Sequence, residues 1–250
     1  MKEWERILIT VKTYPTISRA NTETVCTGGI NEQGQWRRLH PVPFRYLDEP
    51  QQYRVFDIVE AKLGLGQDSR PESRRPDIPT LRVKGHLDEW DARCQWVNPT
   101  IEPSMSSMKE KGRTLAPVQV AEIVEFLAEK SAGDWTPKQK AMLQQELLFD
   151  PRKPLEKIPW DFRLRWKDGD GQEYNFLFIS WEVCQTWRSY SRDYADPIKV
   201  MREKWMNDLL SKDRQVSLFI GNMARFQDNY LVCGTFTPPK LVAGQGSLFA

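Results

Sequence analysis

Residues 161–183 read DFRLRWKDGDGQEYNFLFISWEV. Apolar and polar side chains alternate on either side of DGDG, which is the period of a strand buried on one face, and Asp-Gly supplies the backbone freedom of a tight hairpin turn. An antiparallel hairpin is the outcome this stretch allows, so any fold for the chain has to be built around sheet. The N-terminal end agrees. RILITVK (6–12) alternates and is β-branched, and TVCTGGINEQGQWRRLHPVPF gives two strand-like runs about a Gly-containing turn. RVFDIVEAKLGL is another strand, GQDSRPESRRPDIP a Pro-rich and Arg-rich surface loop, and TLRVKGHLDEW returns the chain to the sheet.

The middle has a different rhythm. PVQVAEIVEFLAEKSAGD sets Val120, Ile123, Val124 and Leu127 at helical spacing with Gly133 as a stop, and TPKQKAMLQQELLFD opens on a Thr cap followed by Pro at the first helical position. Two helices are expected there. Strands resume with the 161–183 hairpin, a helix over DPIKVMREKWMNDLLSKD buries Ile198, Met201, Trp205 and Leu209, and QVSLFIGN and NYLVCGTFTPP close the domain as strands. Both ends are therefore sets of short strands, separated by helices, and two small barrels satisfy that arrangement.

Composition narrows the function classes. The 36 basic residues are nearly matched by 34 acidic ones, so the net charge of +2 argues for a polyanionic partner only where cations cluster locally. Cys26, Cys94, Cys184 and Cys233 are widely separated, the only histidines are His40 and His86, and no CxxC or HxxxH spacing occurs. Reduced buried thiols are expected, with neither metal nor cofactor. No apolar run approaches the roughly 18 residues of a membrane span and the first residues lack a signal-peptide core, so a cytoplasmic protein without a membrane partner is expected.

The strings KTYPT, CTGGI, RPESRRP and FTPPK do not follow from composition, and the stretches holding them resemble an uncharacterised prokaryotic family described as a dual OB-containing domain, found around mobile elements and antiphage defence loci. The resemblance covers most of the chain. It implies a mainly β (α+β) fold of two OB-like β-barrels with a helical insert between them: a barrel over residues 1–100, an insert and connector over 101–155, a second OB-like domain with helices over 156–240, and a tail over 241–250. Members of the family carry paired Cys and His in the second hairpin; WKDGDGQEYNFLFISWEV has none, so no metal site is inherited. OB barrels hold single strands with cations for phosphates and rings for bases.

The candidates for a groove binding single-stranded DNA or RNA follow from that chemistry. QWRRLHPVPFRY interleaves Trp36, Arg37, Arg38, His40, Phe44, Arg45 and Tyr46, and SRPESRRP presents Arg70, Arg74 and Arg75 between prolines. Lys12 and Tyr14 end the first strand, and Trp166, flanked by Arg165 and Lys167, is the stacking candidate of the second half. In each case the competing reading is a core ring or a solvated, carboxylate-paired arginine. The tail peptide QGSLF resembles the motif by which bacterial proteins dock on the DNA polymerase sliding clamp, through Gln245, Ser247, Leu248 and Phe249; Gly246 departs from the usual Leu. The expected function is a nucleic-acid-binding accessory protein of defence or mobile-element systems, without catalysis. Two alternatives stand beside it: a metal-dependent nuclease using Glu60 and Lys62 with Asp48 upstream, and a protein-interaction subunit of a defence complex. Asp168 and Asp170 are turn formers before they are cation ligands.

Overall fold

The structure, a computed structural model, describes residues 2–17, 23–66, 68–147 and 155–240. Its first sheet comprises β1 (Glu3–Lys12), β2 (Val25–Asn31), β3 (Trp36–Val42), β4 (Asp57–Leu65), β5 (Ser73–Pro76) and β6 (Arg82–His86). β1 is long enough to serve two neighbours: its first half pairs with β4 (Trp4↔Lys62, Arg6↔Glu60) and its second half with β2 (Leu8↔Ile30, Lys12↔Thr27), all antiparallel. β3 joins β2, β5 runs parallel to β3, and β4 returns antiparallel to β5. The ring β1–β2–β3–β5–β4 is thereby a closed five-stranded barrel, with β6 added on the outer edge of β4. Ile7, Ile9, Leu39, Val59, Ala61 and Leu63 fill it, one parity of each strand turned inward.

The CTGGI string has a steric reason. A Cβ on Gly29 would stand 2.3 Å from the Leu8 carbonyl oxygen, and one on Gly28 would stand 2.9 Å from Leu115 Cδ2. The first glycine lets a second sheet close on the barrel, and the other lets β2 close on β1.

That second sheet has the order β11–β10–β7–β8–β9, from β7 (Leu115–Lys130), β8 (Trp160–Asp168), β9 (Glu173–Leu177), β10 (Ser217–Asn222) and β11 (Tyr230–Phe236). Beyond β9, Phe178 forms a parallel bridge with Val232 of β11. The helices are α1 (Trp90–Val97) and α2 (Met105–Glu110) before β7, α3 (Pro137–Leu147) between β7 and β8, and α4 (Trp181–Asp193) and α5 (Pro197–Lys204) between β9 and β10. Ser180 caps α4 by accepting from the Val183 amide. α5 continues into a π-helical stretch, Trp205–Leu209, and the predicted face is the observed one: Met201 and Trp205 are buried in the core, with Ile198 and Leu209 packed against it. A separate apolar cluster joins the two sheets, with Val11, Ile30 and Trp36 from the barrel against Leu115, Phe219 and Phe236.

The structure corrects two expectations. Val120, Ile123, Val124 and Leu127 lie on a strand, β7, and not on a helix. β7 breaks register against β8 between Val120 and Glu122 and again between Ile123 and Glu125, so its core-facing residues run Val118, Val120, Ile123, Phe126, Ala128. Each bulge adds a residue to the period of two, and the resulting steps of three imitate a helix. The Arg-rich segment is likewise no loop at its end: Ser73–Pro76 is β5, a stave of the barrel.

Candidate nucleic-acid interface

Most of the ring and guanidinium groups singled out in the sequence are inside the molecule or already paired. Trp36 is buried with its ring 5.8 Å from that of Phe219, between the two sheets. Trp166 is fully buried, 5.2 Å from Tyr174; it falls on the inward parity of β8, while Arg163, Arg165 and Lys167 take the outward one. Phe44 and Lys12 do meet, but in the interior: the Lys12 ammonium lies 4.1 Å from the Phe44 ring centre and 4.5 Å from that of Trp181, and donates to the Tyr53 carbonyl at 3.1 Å. Burial pulls this amine down to about 8, against the opposing pull of Glu182 and Asp57. Tyr14 donates its hydroxyl to the Glu156 carbonyl at 2.7 Å.

The arginines are engaged by carboxylates. Arg37 Nε reaches Glu5 at 2.6 Å, Arg45 reaches Glu23 at 2.9 Å and Arg70 reaches Asp68 at 2.7 Å. Arg38 is buried, held by Glu72 at 3.1 Å and by the Thr114 carbonyl at 2.9 Å. A guanidinium in that position staples the barrel to the segment leading into β7 and is closed to a phosphate. Arg74 folds back on the carbonyls of Pro71 and Ser73. Of the expected groove, Arg75 alone is both exposed and, among the described residues, without an ion pair. The groove over β2 and β3 is therefore not formed, because the second sheet covers it. Gln245, Ser247, Leu248 and Phe249 lie outside the described residues.

A different face of the barrel has the required chemistry. On β1 the inward parity of Ile7 and Ile9 turns Trp4 and Arg6 outward, and across the ladder they meet Lys62 and Glu60 of β4. Trp4 is 54% exposed. The Lys62 ammonium stands 5.4 Å from its ring centre. Arg82 and Lys84 of β6 continue the surface. Glu60 is its central carboxylate, bound at Oε1 by Arg6 (3.1 Å) and at Oε2 by Lys84 (3.0 Å), and these hydrogen bonds hold it below the usual carboxylate range. Lys62 and Arg82 have no ion pair among the described residues, and Arg82, like Arg74, donates Nη1 to two backbone carbonyls, those of Pro79 and Leu81. Both oxygens of Glu60 are thus taken by cations and Lys62 sits over a ring, which is not how a nuclease carboxylate and lysine are presented to a metal and a water. Asp168 serves its turn: Oδ1 accepts from the Asp170 and Gln172 amides and Oδ2 from that of Met105.

Beside this face opens a cleft of about 750 Å³ at one end of the barrel. Lys2 and Gly64 line it and lie two residues from Trp4 and Lys62, on the same side of their strands, so cleft and face are continuous. Trp4 is not among the residues expected at the groove, yet the parity of KEWERILIT carries it: fixing Ile7 and Ile9 inward fixes residue 4 outward.

Residues 3–99 match a family model described as a domain of unknown function, DUF8758, and residues 100–250 match a second, DUF8757. The chain belongs to the DUF8757 family. The two matches meet between α1 and α2, ahead of β7, so that one takes the closed barrel and the other the second sheet with its helices. No curated protein matches the chain.

Proposed function

We propose that this protein binds single-stranded nucleic acid on the outer β1–β4–β6 face of its first barrel. The observation that carries the reading is the exposed Trp4 ring beside Lys62, on a strand surface shared with Arg82 and with Arg6 and Lys84, of which Arg6 is paired with Glu60 and Glu32 and Lys84 with Glu60. A base stacks on an exposed indole whatever its identity, and cations spaced along neighbouring strands follow the phosphates. Both barrels are OB-like in this reading. In the first, the neighbours are 1–2, 2–3, 3–5 parallel, 5–4 and 4–1. The second sheet repeats that order if β7 to β11 are counted from one, with the parallel Phe178↔Val232 bridge standing where β3 and β5 pair. The protein acts as an accessory factor in prokaryotic defence or mobile-element biology, and its QGSLF peptide recruits it to the sliding clamp.

Fluorescence anisotropy with a labelled oligothymidylate or oligouridylate tests the interface. Affinity should fall steeply as salt rises from about 50 to about 200 mM. Trp4→Ala should remove about 1–3 kcal/mol, roughly 5- to 150-fold in Kd, and Lys62→Glu with Arg82→Glu should flatten the salt dependence. An oligonucleotide that shows no binding at the lowest salt sinks the proposal. Recruitment is tested separately, by loss of co-elution with the clamp in Leu248→Ala/Phe249→Ala.

A further inference from the structure

We infer that the cleft at the end of the first barrel is a nucleotide pocket, which takes one unstacked nucleotide of a strand lying on the Trp4 face. The inference deepens the reading above and rests on it for the strand's course, though not for the pocket's chemistry.

The walls suit a flat apolar body. Pro41, Pro43, Pro76 and Ile78 supply rigid, non-donating surface, and Tyr46 supplies a ring among them. The available volume, about 750 Å³, admits a base with its sugar and phosphate. Charge is distributed to match. Glu23 and Asp77 also line the cleft, but Glu23 is neutralised by Arg45 at 2.9 Å and Asp77 by Lys2 at 3.0 Å. Arg75 remains, exposed and without an ion pair among the described residues, as a guanidinium at the wall of an otherwise balanced site. Such a group binds a phosphate through paired donors. The route is continuous: Gly64 of β4 lines the cleft two residues beyond Lys62, and a Cβ there would lie 3.6 Å from the Lys2 side chain and 3.9 Å from the Arg75 carbonyl oxygen. A strand stacked on Trp4 thus reaches Arg75 by crossing a residue without a side chain.

The experiment uses two probes on the full chain, a free mononucleotide (AMP) followed by ligand-observed NMR, and a labelled oligothymidylate followed by anisotropy. Arg75→Gln and Tyr46→Ala should each weaken AMP by about tenfold, the scale of a lost charged hydrogen bond or stacked ring, and by more than Trp4→Ala does. The same two variants should weaken the oligonucleotide, less than Trp4→Ala does. Arg75 is exposed and has no ion pair among the described residues, so Arg75→Gln keeps its fold and retains the wild-type circular dichroism spectrum. Binding of the oligonucleotide with no AMP binding, or AMP binding indifferent to Arg75 and Tyr46, overturns the pocket and leaves the Trp4 face standing. AMP binding that depends on Arg75 without any oligonucleotide binding upholds the pocket and overturns the face.

Discussion

Removing the carboxylate that faces Arg38 should unfold the molecule long before it affects any ligand. The Arg38 and Glu72 side chains retain 3% and 7% of their surface. Nε and Nη2 of Arg38 donate to the same oxygen, Glu72 Oε1, at 3.2 and 3.1 Å, and Nη2 also meets the Thr114 carbonyl at 2.9 Å. The Thr114 hydroxyl donates to that oxygen as well. Glu72→Gln keeps the shape and removes the charge, so the guanidinium is left buried beside neutral acceptors. Breaking a buried pair in this way costs about 3–5 kcal/mol. For a chain of this size each kcal/mol moves Tm by roughly 2–4 °C, which gives a fall of about 6–20 °C. Arg38→Met should cost a similar amount by stranding the carboxylate. Arg38→Met/Glu72→Met removes both charges and should recover most of the loss, with a coupling on the order of 3 kcal/mol in the double-mutant cycle. Thermal unfolding by circular dichroism measures all three, and anisotropy on the double variant should return the wild-type oligonucleotide affinity. A Tm shift under about 3 °C for Glu72→Gln, or strictly additive single changes, would refute the assignment of Arg38 to the structure.

Other consequences follow from the same contacts. Lys12 is protonated in the unfolded chain up to the ordinary lysine range but in the fold only up to about 8, so between those values the unfolded state binds more protons and stability should rise with pH. The rise is at most about 1.4 kcal/mol per pH unit, and it should turn over near about pH 9, where Cys184 and Cys233, pushed up to about 12 by burial, keep protons that the unfolded chain releases; Lys12→Met should abolish the rise between about pH 8 and 9 in urea titrations. Trp166→Ala should cost about 3–5 kcal/mol in the same titration. Gly29→Ala should destabilise by more than about 2 kcal/mol, since the new Cβ meets a backbone oxygen that has no rotamer to yield.

Elements held by local pattern were legible from the amino acids. The DGDG hairpin became β8 and β9, RILITVK became part of β1, and the face of Met201 and Trp205 went to the core as its spacing required. Those signals depend only on residue period and turn chemistry, which neighbours in sequence supply. The N-terminal parity also placed Trp4 outside. Other outcomes were set by contacts between segments far apart in the chain. The two bulges of β7 answer to β8 some forty residues on, and turned a helical spacing into a strand. Arg38 and Trp36 belong to an Arg-rich, aromatic stretch whatever surrounds it; whether they form a groove or a seam depended on which face of the barrel the second sheet covered. A guanidinium has the same chemistry in either place, and only the tertiary fold decides whether a carboxylate or water lies opposite it.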